Sequence, residues 1–417
     1  MSPVPFSRIR VHLQEPVLAD VGAQTDSALD TCGVTLLPGG RVAIALGSRG
    51  IGDLATVVQR VAAWVRRQGA HPFLVPAMGS HGGATAEGQQ AVLEAYGLGE
   101  EHLGCPIVST MEVVELPRGD CPVPVYTDAA AAKADAVIMV NRVKPHTDFH
   151  GPYESGLMKM IAIGLGKQKQ ADALHAYGQR GLREFMPLVA RQVLEHGNVV
   201  LGVAIIENAL DATMDVQAIA AADIADREPA LLEVARTHSP RLPVDVLDVL
   251  LVDRMGKDIS GVGMDTNVIG RMLITGSPES AGPHINMIAC HALTPASHGN
   301  ATGMGLADVI TASMADTIDH EVTRTNIITS GFLLRGKLPV VAPDDRTAWG
   351  WCLRGAGVVD ASAVRAARIV DTLHCADLWV TDAVLRDLAE SISSGRIEVL
   401  ESDVELHDAD GRLNPFG

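Results

Sequence analysis

Residues Asp135–Val143 read DAVIMVNRV, and both faces of this run are apolar over most of its length. A strand with two apolar faces is typical of a parallel sheet that is covered by helices on both sides. Patterns with helical spacing of apolar residues separate further runs of this kind. The runs are Arg41–Ser48 (RVAIALGS), Pro72–Met78 (PFLVPAM) and Val199–Glu207 (VVLGVAIIE), and the helical patterns are Asp53–Gln68 and Ala86–Leu98. The alternation predicts βαβ units and an α/β fold with a mostly parallel sheet.

A second α/β pattern begins after Thr237–Val244 (THSPRLPV), where two prolines follow a long helical pattern. Val246–Asp253 (VLDVLLVD) is predicted to be its first strand. Later come an apolar run at Asn286–Leu293, helix-like patterns at Leu306–Thr317 and near Ala361–Arg368, and a late strand at Glu398–His407. We therefore expect two α/β domains, residues 1–240 and 241–417. For the last strand or helix of the chain, the N-terminal domain stays open as an alternative.

The composition argues against several classes of protein. Lys and Arg number 33 against 50 Asp and Glu, and the net charge of −17 would repel nucleic-acid phosphates. No run of 18 uncharged apolar residues suggests a membrane span, and the first ten residues lack the apolar core of a signal peptide. The six cysteines are scattered without a C-x-x-C pair, which is typical of neither a disulfide framework nor a usual zinc site. We expect a cytoplasmic protein with neither nucleic acid nor membrane as a partner.

Polar loops follow three successive predicted strands. The carboxyl ends of parallel strands meet at one edge of a sheet, and ligands bind there. The loop residues that attract attention are Ser48 and Arg49 after the first strand, His81, Gly82 and Gly83 after the second, and His146 and His150 after the third. Arg49 alone would be read as a surface residue. The loop with His146 and His150 lacks a third ligand in register, so an ordinary zinc site is not expected.

Lys159 stands inside the apolar run LMKMIAI. Burial would lower the pKa of its amine and make it nucleophilic, whereas an amphipathic lysine would keep its ammonium group in water. His175, sixteen residues later, would by itself be read as an ordinary helix residue. In the second half, Lys257 follows the strand Val246–Asp253. It is read either as a surface lysine or as a side chain that reaches a substrate carboxylate.

Taken together, these residues resemble the nickel-pincer lactate racemase family. That family carries a Gly-x-His after an early strand, a Pro-His followed by a stretch that ends in Lys, and a His sixteen residues beyond. The matching residues here are Arg49, Gly79-Ser80-His81, Pro145-His146, Lys159 and His175. The resemblance implies two α/β domains with the cofactor between them, and a racemase or epimerase of a 2-hydroxy acid. The implied cofactor is a nickel pincer nucleotide, a pyridinium mononucleotide with thioamide and thiocarboxylate arms.

The resemblance also implies a role for each matching residue. Lys159 would be joined to the cofactor and His175 would ligate nickel, with Ser48, Gly82 and Gly83 as further cofactor contacts. His81 and His146 would act as acid and base on opposite faces of the substrate, which Arg49 and Lys257 would hold. A hydride would leave C2 and return to either face, while a neutral histidine takes the hydroxyl proton. The implied partners are a small 2-hydroxy acid and cofactor-biosynthesis proteins, and a homo-oligomer is left open.

The sequence departs from the family pattern near these residues. Leu46 stands where the family has an aspartate, and a longer stretch with His150 and Glu154 precedes Lys159. These differences suggest a divergent branch with a different substrate. Two alternatives stay open at this stage: a cofactor-linked 2-hydroxy acid oxidoreductase, and a non-catalytic protein that binds the nickel cofactor. A general NAD-binding fold has less support, because no G-x-G-x-x-G follows the first strand.

Overall fold

A computed structural model describes residues 4–13, 15–47 and 50–416. Contacts divide the chain into two compact units. The N unit is Glu15–Ser239, and the C unit consists of the amino-terminal strand and the residues from Pro240 onward. The sequence predicts that the first residues belong to the N-terminal domain. In the structure, strand β1 (Phe6–Val11) instead pairs with two late strands of the C unit.

The strands are numbered in chain order. They are β1 Phe6–Val11, β2 Arg41–Leu46, β3 His71–Pro76, β4 Val113–Leu116, β5 Val125–Asp128, β6 Ala136–Arg142, β7 Val199–Glu207, β8 Thr213–Ala220, β9 Val246–Met255, β10 His284–Leu293, β11 Val309–Thr311, β12 Val340–Ala342, β13 Ala366–Ile369, β14 Asp377–Thr381 and β15 Ile397–Val404.

The α-helices are numbered in the same way. They are α1 Val21–Thr31, α2 Leu54–Arg67, α3 Ala86–Ala95, α4 Glu100–Leu103, α5 Leu157–Lys159, α6 Leu165–His175, α7 Gly178–Arg180, α8 Met186–His196, α9 Ile224–Thr237, α10 Thr266–Ile269, α11 Ala312–Ala315, α12 His320–Ser330, α13 Asp345–Gly355, α14 Asp382–Asp387 and α15 Ala389–Ser393. Within the described ranges, none of these helices is long and apolar enough to cross a membrane.

The N unit is built on a sheet with the strand order β3-β2-β6-β7-β8. Strands β3, β2, β6 and β7 are parallel, and β8 is an antiparallel edge strand. After β2 the chain forms β3 on one side and later crosses to form β6 on the other side of β2. This reversal creates a topological switch point, where ligands bind in open α/β sheets.

Both faces of this sheet are buried, as the two-faced apolar runs predict. Along β2, Ala43 and Ala45 belong to one hydrophobic core, whereas Val42, Ile44 and Leu46 belong to the core on the other face. Helix α2 contributes its apolar stripe to the second core. The prediction of an α/β fold with a mostly parallel sheet is therefore confirmed for the N unit.

The C unit contains a sheet with the order β12-β11-β10-β9-β13-β14-β1-β15. The strands from β12 to β13 are parallel, and β14, β1 and β15 are antiparallel to their neighbours. Hydrophobic cores again cover both faces. The predicted α/β fold is confirmed here too, and the last strand stays in this unit.

Two of the helices predicted for the C unit are wrong in part. Val309–Thr311, inside the first pattern, forms β11 and pairs with β10. Ala366–Ile369, at the end of the second pattern, forms β13 and pairs with β9. Apolar runs this short have no periodicity that separates strand from helix, and pairing with neighbouring strands decides between the two.

Candidate active site

The three polar loops identified in the sequence follow β2, β3 and β6, which are neighbours in the order β3-β2-β6. Because the strands are parallel, all three loops leave the same edge of the N-unit sheet. Ser48 and Arg49, the predicted cofactor and substrate contacts, lie outside the described residues.

The loop after β2 is held by groups from two neighbouring strands and from Tyr96. The amide of Gly50 donates to the Tyr96 hydroxyl at 3.0 Å, and the Gly50 carbonyl accepts from Arg142 at 2.9 Å. The amide of Gly52 donates to the Glu207 carboxylate at 2.7 Å, and Glu207 forms an ion pair with Arg142. The sequence alone carries no signal for Arg142 or Glu207, because their contacts form only when the ends of the strands lie side by side.

The loop after β3 carries His81 in a backbone conformation that depends on glycine. Gly79, Gly82 and Gly83 have φ values of 59°, 65° and 66°, in the left-handed region that favours glycine. A Cβ atom at Gly82 would lie 2.6 Å from the backbone nitrogen of Gln89. The turn therefore explains both Gly82 and Gly83 structurally, and their contact with a cofactor stays a prediction. The His81 side chain is exposed.

Lys159 lies at the end of α5, where a continuous helical segment begins. A π-helical stretch, Met160–Gly164, joins α5 to α6, and stretches of this kind are frequent at functional sites. The Gly79 amide donates to the Gly164 carbonyl at 3.2 Å. The loop that carries His81 therefore packs directly against the segment that follows Lys159.

The amine of Lys159 contacts the imidazole of His146. Their atoms Nζ and Nε2 are 2.6 Å apart, and the backbone amide of Asp148 donates to Nδ1 of the same ring at 3.0 Å. Since Nδ1 accepts a hydrogen bond, the neutral ring carries its proton on Nε2. Nε2–H then donates to Nζ, which requires the lone pair of a neutral amine.

Burial lowers the pKa of Lys159 to about 8, against the opposing effect of the Asp148 carboxylate. A pKa of about 8 leaves most of Nζ protonated at pH 7, but the neutral form that this contact requires is far more populated than in an ordinary lysine. Lys159 is thus an amine prepared to act as a nucleophile near neutral pH.

Glu154 holds the loop that carries His146. Its buried carboxylate accepts from the amides of His146 at 2.6 Å and Gly151 at 3.0 Å, and it contacts Nδ1 of His150 at 3.2 Å. Arg236 forms an ion pair with the same group. Burial alone would raise the pKa of Glu154, but the hydrogen bonds from His150 and the His146 amide hold it below its usual value. His150, whose role the sequence left open, thus contributes to this anchor.

Glu228, on α9, caps the helix that carries Lys159. Gly156 precedes that helix and has no side chain to accept its first amides, and a carboxylate oxygen of Glu228 accepts from the Met158 amide at 2.8 Å. Burial raises the pKa of Glu228 to about 7. A Cβ atom at Gly156 would lie 2.3 Å from the other carboxylate oxygen, which explains the glycine. Among the described residues that oxygen has no hydrogen-bond partner.

His175 ends α6 and lies close enough to Lys159 to sense its charge. The residue is exposed, but desolvation by neighbouring atoms lowers the pKa of its imidazole, and the Lys159 charge lowers it further. The imidazole is therefore neutral at pH 7, which is the form that ligates metals. In the described part of the chain, no group of three His, Cys, Asp or Glu side chains is arranged to hold a metal ion.

Lys257, the proposed partner of Arg49, belongs to the C unit. It follows β9, its amide donates to the Ser297 hydroxyl at 2.8 Å, and its Nζ donates to the Gly261 carbonyl at 2.6 Å. A role in substrate binding stays a prediction for Lys257, as it does for Arg49.

Comparison with known proteins identifies the fold. No protein-family model matches the sequence, and no curated protein matches it. Among solved structures, the lactate racemase apoprotein from Thermoanaerobacterium thermosaccharolyticum matches with a TM-score of 0.51 and 10% sequence identity. The match covers 88% of this chain and 99% of that chain. The chain has a lactate racemase-like fold. At this identity the likeness concerns the fold alone.

Proposed function

We propose that the protein is a racemase or epimerase of a 2-hydroxy acid that uses a nickel pincer nucleotide attached to Lys159. The observation that carries the proposal is the amine of Lys159, whose pKa is lowered and which contacts His146 at the switch-point edge of a lactate racemase-like sheet. The loop with His81 lies against the same helical segment. A nucleophilic amine with histidines from two neighbouring loops suits an enzyme that carries a covalent cofactor.

The residues that are present fit this cofactor. Lys159 supplies a reactive amine for attachment, and the lowered pKa of His175 keeps its imidazole available as a nickel ligand. A single histidine beside a lysine suits a metal that arrives with its other donors on an organic group. When bound, the cofactor would accept a hydride from the substrate and return it.

The protein's own residues would then move the proton. Loss of hydride from C2 requires loss of the hydroxyl proton, and a neutral imidazole near its ordinary pKa is suited to accept it. Once Nζ of Lys159 is in an amide-like linkage, its lone pair no longer accepts a hydrogen bond. Nε2 of His146 would then face the substrate hydroxyl, and to accept its proton the ring would need the tautomer that is protonated on Nδ1, with the hydrogen bond from the Asp148 amide released. His81 would serve the opposite face.

Substrate recognition is assigned to Arg49 and Lys257, whose positive charges suit a carboxylate. Ser48, Gly82 and Gly83 are proposed as further cofactor contacts. We also propose that cofactor-biosynthesis proteins are partners that supply the nucleotide in the cytoplasm.

The test is to produce the protein together with the cofactor pathway and to measure both its mass and its activity. We expect an adduct of a few hundred daltons on Lys159, absent from Lys159→Arg, and inversion of at least one member of a panel of 2-hydroxy acids scored by chirality. Small, aromatic, dicarboxylic and sugar acids belong in that panel. Accumulation of a keto acid without inversion would favour an oxidoreductase. Full cofactor retention by Lys159→Arg would contradict covalent attachment.

A further inference from the structure

Lys167 is a buried charged side chain that the proposed function does not use. It lies in α6 with no exposed surface, and its Nζ is 3.1 Å from the Asp128 carboxylate and 3.0 Å from Oε1 of Gln89. Nζ also donates to the carbonyl of Pro76, at the end of β3. A buried ion pair is weak evidence for stability, because apolar side chains of similar volume often stabilise a core as well or better. The contacts of Lys167 therefore call for a role other than general stability.

Gln89, on α3, connects Lys167 to the loop that carries His81. While Oε1 of this buried side chain accepts from Lys167, Nε2 donates to the carbonyls of Gly79 at 2.9 Å and His81 at 3.2 Å. An ammonium group only donates hydrogen bonds. Lys167 therefore fixes which end of the Gln89 amide faces the loop, since a rotated amide would set its NH₂ group against the ammonium.

The loop needs such an anchor because of its backbone. Gly79, Gly82 and Gly83 all have positive φ, and glycine loses more conformational freedom on ordering than other residues do. The two carbonyls that Gln89 holds belong to Gly79 and to His81 itself. The amide of Gln89 thus limits the directions in which the His81 side chain leaves the backbone.

The backbone of Lys167 adds an independent observation. Its φ of 56° and ψ of −160° interrupt the helix in a conformation that side-chain-bearing residues rarely adopt. Conformations of this kind persist only where the surroundings enforce them, and they cluster at active sites. Glycine would suit this backbone better, yet the position carries a lysine whose amine donates to Pro76 and Gln89 and forms an ion pair with Asp128.

We propose that Lys167 is a positioning residue for His81, acting by orienting the Gln89 amide that holds the Gly79–His81 loop. The catalytic meaning of His81 rests on the proposed function, but the connection from Lys167 to His81 does not. It can be measured in the protein without cofactor.

The experiment compares Lys167→Met and Gln89→Glu with the control Lys169→Met. Lys169 lies on the same helix but is exposed, with its amine 4.2 Å from the centre of the Tyr126 ring. In Gln89→Glu the carboxylate still accepts from Lys167 but has no NH₂ group to hold the loop. This variant therefore breaks only the contact between residue 89 and the Gly79–His81 loop. The readouts are the rate at which diethyl pyrocarbonate modifies His81, measured by peptide mass spectrometry, and the His81 pKa from NMR titration.

We expect both site variants to change the modification rate and the pKa of His81, whereas Lys169→Met leaves them as in the wild type. In the loaded enzyme, kcat should fall by about 10–100-fold with a much smaller change in KM, the scale of a catalytic group displaced by ~1 Å. If Lys167→Met does not fold, Gln89→Glu still tests whether the side chain of residue 89 positions His81. Unchanged His81 reactivity and pKa in folded Gln89→Glu would overturn the proposal. If no hydroxy acid is turned over but the His81 readouts shift, the proposed function fails and this connection stands.

Discussion

The amine of Lys159 should titrate far below an ordinary lysine in the protein without cofactor. With a pKa of about 8, roughly 10% of Lys159 is neutral at pH 7, against roughly 0.03% at the ordinary value of 10.5. The neutral fraction is therefore about 300-fold larger. Because a less basic amine is also less reactive per molecule, the midpoint of the pH profile is a better measure than the rate.

The assay is acetylation with a small amount of labelled acetic anhydride between pH 6 and 10, followed by peptide mass spectrometry. The modification of Lys159 should rise with a midpoint near pH 8, with the exposed Lys169 as an internal reference. The Asp148 carboxylate raises the pKa of Lys159, so Asp148→Asn should move the midpoint to lower pH. Asp172→Asn is the matched control on α6. A midpoint near 10.5, or an upward shift in Asp148→Asn, would refute the reasoning.

Three further predictions concern the same edge of the sheet. The folded-state pKa of Glu228 is raised to about 7 from 4.5. Its protonated carboxyl therefore contributes fully to the free energy of unfolding below pH 4.5, and this contribution, on the order of 3 kcal/mol, is lost as the pH rises through 7. Because glutamine does not ionise, Glu228→Gln should keep its stability at high pH and melt at a higher temperature than the wild type at pH 8, but not at pH 4.5. Equal melting temperatures at pH 8 would contradict this. Gly156→Ala should destabilise by about 1–3 kcal/mol through its clash with Glu228, measured by urea unfolding, and Glu228→Ala in the same chain should restore much of the loss. His81→Ala and His146→Ala should each retain nickel but lose about 10²–10⁴-fold in racemisation in both directions, with C2 deuterium returned to the substrate; exchange of that deuterium with water would indicate a carbanion route.

The sheet of the N unit could be predicted because its signal is local. A run such as Asp135–Val143 reveals by its two apolar faces that helices cover both sides, whatever the rest of the chain does. Strand β1 had no such signal. It pairs Phe6 with Thr381 in β14 and with Val404 in β15, residues that lie far away in the sequence. Pairing over that distance depends on the whole C unit, so the sequence predicts the wrong domain for β1.

Part of the candidate site could likewise be predicted from local sequence, and part could not. The strand-end rule indicated the loops with His81 and His146, and the apolar surroundings of Lys159 indicated a perturbed amine. The Nζ–Nε2 contact itself could not be predicted, because it depends on how the loop after β6 folds back onto α5. Nor could the cap on α5, since Glu228 lies 70 residues from Met158.

The buried charges of the N unit show what this edge of the sheet requires. In the described part of that unit, every buried Asp, Glu, Lys or Arg side chain contacts a loop or helix that bears a candidate residue, directly or through one neighbour. Glu207 holds the loop after β2, and Glu154 holds the loop after β6. Asp128 with Lys167, through Gln89, holds the loop after β3, while Glu228 caps the helix with Lys159.

Burying a charge is costly, and a core made only of apolar residues would avoid that cost. A loop whose backbone is held by a buried charge-assisted hydrogen bond has less freedom than one held by apolar contacts, because such bonds are strong and directional. The charges therefore lie where position matters most for the proposed chemistry. Replacing one of them should change the geometry of its own loop before it changes the fold. The modification rate of His81 and the pH midpoint of Lys159 are sensitive to such a change in the protein without cofactor.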